Sequence, residues 1–291
     1  MGVADINLRE YLQQNHNQLT WKKRIQIVCD IIKALFYIHR EEEIHRDLHS
    51  GNILYSQFNN TWYISDLGFC GPADKSSNSI YGNLPYIAPE VIAGKQTTFA
   101  SDIYSIAMLM WEISSGQPPF MNYEHDYDLA MNIINGIRPR IISGTLLEYE
   151  SLMKQCWDAD PLKRPNTYTL YKKIREMNRL YHNMPNESEV NNNLEMNKTS
   201  CSGISYTSRL LTSKVHQFEK FPEPRNATEE EQEAFHSKSY DEFHIPDNID
   251  DFNKSNNQKN DSASRKRSGN FEVKSERLTK KFKNLQIRNG K

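Results

Sequence analysis

The 291-residue sequence has no run approaching 18 apolar residues, so no membrane-crossing helix is expected. Its start, MGVADINLREYL, has no basic stretch followed by an apolar core, so no secretory signal is expected. Ile6 stands where a myristoylation motif wants Ser or Thr, which excludes that anchor as well. Four cysteines (Cys29, Cys70, Cys156 and Cys201) form no CxxC pair. That argues against zinc or a disulfide framework and fits free thiols in a reducing compartment. Without a secretory signal, triplets such as Asn226-Ala227-Thr228 carry no glycosylation message. Net charge is only −1, so no global field draws the chain to nucleic acid or to a membrane surface. The apolar share, 37%, is low and unevenly spread, which argues against a chain folded throughout.

What is present divides into two regimes. Residues 1–181 hold all four Trp and the periodic apolar patterns. NLREYLQQ places Leu8, Tyr11 and Leu12 at helical spacing. TWKKRIQIVCDIIKALFYIHR puts Trp21, Ile25, Val28, Ile32, Leu35 and Ile38 on one stripe, with Thr20 as its N-cap. EIHRDLHSGNIL reads as a loop opening into a strand at Ile53–Tyr55, and TWYIS as a second strand before Asp66. SDIYSIAMLMWEISSG reads as a buried helix stopped at Gly116; YESLMKQCWDADP and NTYTLYKKIREMNRLY read as two more. Trp21, Trp111 and Trp157 are expected in the core and Trp62 half exposed. From His182 to Lys291 the chain is rich in Asn, Ser, Glu and Lys and is expected to be a disordered tail.

The chemistry concentrates between two apolar runs. Asp47 on its loop can orient a hydroxyl and accept its proton. Asn52 and Asp66 flank the expected hairpin, one before its first strand and one after its second, so both hard oxygens meet at one end. Hard oxygens suit magnesium. Two such ligands beside a hydroxyl-activating carboxylate form a phosphoryl-transfer layout. Gly68 lets the backbone turn tightly just after Asp66.

At these residues the sequence resembles the eukaryotic protein kinase family. His45-Arg46-Asp47-Leu48-His49-Ser50-Gly51-Asn52 fits the pattern H-R-D-L-x-x-x-N, and Asp66-Leu67-Gly68 is similar to D-F-G with Leu for Phe. Ala88-Pro89-Glu90 matches A-P-E. Asp102 matches the buried helix Asp that holds the catalytic loop, and Arg164 the Arg that pairs with Glu90. The resemblance implies a mainly α fold with a few short β-hairpins: a kinase-like large lobe over residues 1–181, with no small N-terminal lobe, then the tail 182–291. It implies ATP and Mg as cofactors and a protein substrate. Asp47, Asn52 and His49 would be catalytic. Asn52 and Asp66 would hold metal and cofactor, and His45, Arg46, Gly68, Glu90, Asp102 and Arg164 would be structural or regulatory. Arg46 would meet a phosphate placed on Ser76, Ser77, Ser79 or Tyr81.

Two departures bear on what the family would do here. No G-x-G-x-x-G loop and no V-A-I-K-like strand precedes Leu8, so weak ATP affinity and little turnover are expected of this chain alone. His49 stands where Ser/Thr kinases usually carry Lys, and it brings full charge only when protonated. No Arg follows Asp47 as in tyrosine kinases, and LMKQCWDADPLKRP looks most like tyrosine-kinase-like Ser/Thr enzymes, so Ser/Thr transfer is favoured. The alternative is a non-catalytic kinase-like binding or scaffold module. In the tail, RKR at 265–267 and KKFK at 280–283 are spaced like a bipartite nuclear import signal. The expected location is therefore cytoplasmic, with a nuclear alternative. Phe271, Leu278, Phe282 and Leu285 lie near one helical face that could fold on a partner.

Overall fold

Asn7 ends the first strand and caps the first helix, its Oδ1 accepting from Glu10 N at 2.9 Å. The structure, a computed structural model, describes residues 6–69, 71–72, 80–183, 212–218 and 221–238. In chain order the first half holds β1 (Ile6–Asn7), α1 (Leu8–Asn15), α2 (Trp21–Arg40), β2 (Glu43–Ile44), β3 (Ile53–Ser56), β4 (Thr61–Ile64), β5 (Gly71–Pro72) and β6 (Ile80–Gly82). Then follow α3 (Pro89–Ile92), α4 (Phe99–Ser115), α5 (Tyr127–Ile134), α6 (Leu147–Cys156), α7 (Thr167–Asn183), β7 (Lys214–His216) and α8 (Glu229–Lys238). Two compact units divide at Asn226/Ala227.

In the first unit α2 is the central packing element, against α7, α4 and β4. Thr20 Oγ1 accepts from Lys23 N (3.3 Å), the cap expected from the sequence. Ile25, Val28, Ile32, Leu35 and Ile38 are buried as expected, and Ile27 and Ile31 are buried too, because neighbours cover more than one face. Every residue of α4 from Ser101 to Ser114 is buried. Gly116 ends α4 at φ 76°, and an added Cβ would sit 2.3 Å from the His16 ring, which bonds Ser114 O (3.1 Å). Glycine is required there by conformation and by space together. The thiols of Cys29 and Cys156 are buried and free, pushed up to about 11 and about 12 by burial first.

The strands are all short and antiparallel, in the orders β1-β3-β4, β2-β5 and β6-β7. Only β3-β4 is the expected hairpin; the other pairs join segments far apart in sequence. Trp62 is not half exposed but 2% exposed, because Tyr11 of α1 packs edge-on against it (centroids 5.0 Å) and Tyr55 tilts over it (5.1 Å).

Part of the expected tail carries structure: residues 212–226 belong to the first unit. β7 pairs with β6, and aromatic rings continue the contact, Phe221 stacking on Tyr127 (5.1 Å). A three-residue edge strand carries no periodicity that a sequence scan can detect. In the second unit α8 opens with a capping box: Thr228 Oγ1 accepts from Glu231 N (3.3 Å) and Glu231 Oε2 from Thr228 N (2.8 Å). Among the described residues no helix is long and apolar enough to cross a membrane. Cys70, Ser76, Ser77, Ser79, the basic clusters at 265–267 and 280–283, and the face from Phe271 to Leu285 lie outside the described residues.

Candidate active site

The loop from His45 to Asn52 is positioned by one buried carboxylate. Asp102, in the first turn of α4, accepts from His45 N (2.8 Å) through Oδ2 and from Arg46 N (3.0 Å) through Oδ1. His39 Nε2 donates to the same Oδ2 at 2.8 Å. Burial alone would push the Asp102 carboxyl up. The hydrogen bond and charge of His39, with the nearby His45, hold it below its usual value instead. Arg46 adopts φ 73°, a left-handed conformation that L side chains disfavour by about 1–2 kcal/mol. The pull of Asp102 on two successive N–H groups offsets that strain.

His45 is fully buried and ties this loop to the end of β4. Its Nε2 must donate to Ser65 O (3.0 Å), since a carbonyl only accepts. Asn52 closes the frame. Its Nδ2 donates to Asp47 O (2.9 Å), and its own carbonyl accepts from Ser65 N (2.8 Å) and Ser65 Oγ (2.9 Å). Asp66 follows directly at φ 55°, with an exposed side chain. Asp47, Asn52 and Asp66 are therefore gathered by one continuous hydrogen-bonded frame. The Asp47 carboxyl lies above its usual value, by burial first, and the Asp66 charge contributes in the same direction. The Tyr81 phenol is raised by burial and then by both carboxylates, so β6 borders the same rim.

The donor chemistry suits a hard divalent ion. The Asn52 amide spends Nδ2 on Asp47 O, which fixes its Oδ1 as an oxygen donor, and Asp66 supplies a carboxylate. Magnesium takes few protein oxygens and completes its shell with phosphate and water. Among the described residues no group of three or more His, Cys, Asp or Glu could hold a metal ion by itself. A cavity lined by Phe36, His39, Phe99 and Thr167 borders the Nδ1 side of His39, where Thr167 Oγ1 lies 3.2 Å from that nitrogen.

His49 lies beside Asp47 within the same loop. It is buried, its Nδ1 accepts from Gly51 N (3.1 Å), and its Nε2 lies 3.8 Å from Asp47 Oδ2, too far for a hydrogen bond. Burial, then Arg9 and His45, push the imidazole down to about 3. The contact with Asp47 is therefore not an ion pair, and His49 brings no positive charge at neutral pH. Gly68 follows Asp66 closely: a Cβ there would stand 3.3 Å from Asp66 Oδ1. Arg46 is half-buried, and of the four segment hydroxyls named for it only Tyr81 is among the described residues.

Glu90 and Arg164 form a buried fork, with Nη1–Oε1 and Nη2–Oε2 both 2.7 Å. Arg164 also donates to Asp158 O (2.8 Å) and Ala100 O (2.9 Å), and its guanidinium lies 5.3 Å from the Tyr104 ring centroid. Beneath the loop, Tyr86 donates to Glu112 Oε2 (2.5 Å), and Arg9 to Ser50 Oγ (3.2 Å).

Two partners escaped the sequence reading. His39, in the last turn of α2, bonds Asp102, and nothing in its local sequence marks it as that partner. Ser213 lies in the tail, and its Oγ donates to Asp47 Oδ1 at 2.7 Å. The only available signal was the short apolar and aromatic run around it, Leu210 to Phe218.

Residues 3–174 match the family described as protein tyrosine and serine/threonine kinase. The dual specificity protein kinase zakA of Dictyostelium discoideum is 31% identical over 206 residues, covering 65% of this chain and 26% of that protein. The human dual serine/threonine and tyrosine protein kinase is 36% identical over 151 residues, covering 50% of this chain and 16% of that protein. The chain thus spans about a quarter or less of these relatives' length. With a family match running through the catalytic-loop frame and across more than half of its residues, the chain belongs to the protein tyrosine and serine/threonine kinase family.

Proposed function

We propose that this chain supplies the large-lobe half of a phosphotransferase that moves the γ-phosphate of ATP to hydroxyls of protein substrates. Asp47 orients the acceptor hydroxyl and takes its proton. Asn52 Oδ1 and Asp66 hold magnesium, which when bound neutralises phosphate charge. Asp102 and His45 keep the loop in register, and Glu90–Arg164 anchors the end of the segment that follows. The observation carrying this reading is the frame Asp47–Asn52–Ser65–Asp66, in which an aliphatic hydroxyl already donates to Asp47.

Ser/Thr acceptors are favoured, because no Arg follows Asp47 in the loop. The relatives' names include tyrosine, so tyrosyl transfer is the competing outcome. The sequence carries no Gly-rich loop and no strand Lys, the groups that grip the triphosphate. That favours slow or no turnover by this chain alone, and it supports the second reading, a kinase-like binding module. Incubation with Mg-ATP and a peptide library containing Ser, Thr and Tyr acceptors separates these readings. Phosphoserine and phosphothreonine formation that disappears in Asp47→Asn supports transfer; nucleotide-independent peptide binding without product supports the module.

A further inference from the structure

Resting on the phosphotransfer reading, we propose that Thr212–Phe218 occupies this chain's own protein-substrate groove, with Ser213 as an acceptor hydroxyl for phosphoryl transfer in cis. Ser213 Oγ donates to Asp47 Oδ1 at 2.7 Å, the bond an acceptor must make to pass its proton to that carboxylate. The contact is held in register and is not a chance approach of a loose hydroxyl. β7 follows Ser213 immediately and pairs antiparallel with β6: Lys214 faces Gly82, Val215 faces Tyr81 and His216 faces Ile80. A one-residue slip would turn every side chain of such a ladder to the other face.

Side chains fix the same register. His216 is buried, and its Nε2 donates to Gly82 O (3.1 Å). Lys214 Nζ donates to His125 O (3.3 Å). His216 and Phe218 stack (5.4 Å), and Phe218 meets the Tyr127 ring edge-on (6.4 Å). Gly82 makes room beside the reacting carboxylate. At φ 142° its missing Cβ would lie 3.4 Å from Asp47 Oδ1, where Ser213 enters. Edge-strand addition with pockets for alternate side chains is a general mode of peptide recognition, and here the peptide is part of the same chain.

The step balances with a nucleoside triphosphate as co-reactant. Ser213 Oγ forms a bond to the γ-phosphorus, and the bond from that phosphorus to the β–γ bridging oxygen breaks. The nucleoside diphosphate leaves with that electron pair, and the Oγ proton passes to Asp47. The product phosphoserine brings roughly −1.5 to −2 charge beside Asp47 and Asp66, which repels the segment and opens the groove. The tail is then both first substrate and plug.

The test uses the full 291-residue chain in two parallel readouts. In the first, the chain is incubated with Mg-ATP and a mixed Ser/Thr/Tyr peptide library, and phosphorylated positions are mapped by mass spectrometry. Phosphate at Ser213, at a rate independent of chain concentration, supports the proposal. Library phosphorylation with Ser213 unmodified overturns it and leaves the kinase reading intact; a Ser213 rate that grows with chain concentration overturns transfer in cis. An unphosphorylated library with Ser213 also unmodified overturns transfer in cis, and the second readout then decides whether the segment occupies the groove. It follows the anisotropy of a labelled synthetic peptide of residues 209–221. The peptide should bind a chain whose residues 212–218 are replaced by Gly and Ser about tenfold or more tightly than the intact chain, because the tethered copy competes at high local concentration. Val215→Pro, at an exposed edge position, should unmask the groove without touching the core. Equal peptide binding to all three chains overturns the proposal.

Discussion

Asp102→Asn isolates the interaction that holds the catalytic loop. The carboxylate receives three donors, His45 N and His39 Nε2 on Oδ2 and Arg46 N on Oδ1. The best orientation of an amide keeps its oxygen where two donors converge, at the Oδ2 position. Its NH2 then faces Arg46 N–H, donor against donor. One charge-assisted bond is lost and one buried N–H is left facing a donor, so the loss is about 1.5–3 kcal/mol. Asp102→Ala removes all three bonds and should lose about 3–5 kcal/mol, less than three separate deletions because the donors share one acceptor. Arg46 feels the change most, since its φ of 73° is then no longer offset. Urea unfolding of the wild type and both variants gives the stabilities, and amide chemical shifts of residues 45–52 report the loop. A loss under about 0.5 kcal/mol for Ala, or loop shifts confined to residue 102, would refute the reasoning.

Arg164→Met leaves the Glu90 carboxylate buried without its fork and should destabilise by about 3–5 kcal/mol, while adding Glu90→Leu should recover much of it; urea midpoints check this, and additive losses would contradict it. His49 is held at about 3 against an unfolded value near 6.5, so between those pH values the unfolded chain binds one more proton at this site. Stability therefore falls as pH drops below about 6.5, by at most about 1.4 kcal/mol per pH unit from this residue. His16 and His216, also lowered by burial, add the same sign, so His49→Gln should make the slope shallower without abolishing it. Denaturation at several pH values tests that; an unchanged slope would be the contrary result. Trp62→Ala should lose about 3–5 kcal/mol, whereas Phe58→Ala, on a side chain 97% exposed, should stay within about 0.5 kcal/mol.

The catalytic loop, its hairpin and the helices around it were legible because their signals are local. Asn52 and Asp66 bracket two short strands, and the hairpin alone carries them to one end. Thr20 and Gly116 marked helix ends through capping chemistry that needs no tertiary context. Trp62 was misjudged because its cover comes from Tyr11, some fifty residues away, and no period in TWYI encodes that. Strands β1, β2, β5, β6 and β7, at two or three residues each, fall below any window in which alternation can be counted, so the β1-β3, β2-β5 and β6-β7 pairs stay hidden. The structured stretch within the tail stayed hidden for a related reason. Composition correctly marks residues 182–291 as poor in core-forming side chains, but His216, Phe218 and Phe221 dock on a surface that the lobe already provides. His49 stands where charge depends on protonation; its burial, invisible in sequence, pushes the imidazole toward its neutral form.

The claim on which the rest depends is that Asn52 and Asp66 present oxygens to one divalent ion beside Asp47. Manganese titrated into isotope-labelled chain with a non-hydrolysable ATP analogue tests it by paramagnetic broadening of amide signals. Selective broadening at residues 47–52 and 65–67, lost in Asp66→Asn and in Asn52→Ala, is the predicted result. Broadening centred elsewhere, or unchanged by both substitutions, would contradict it.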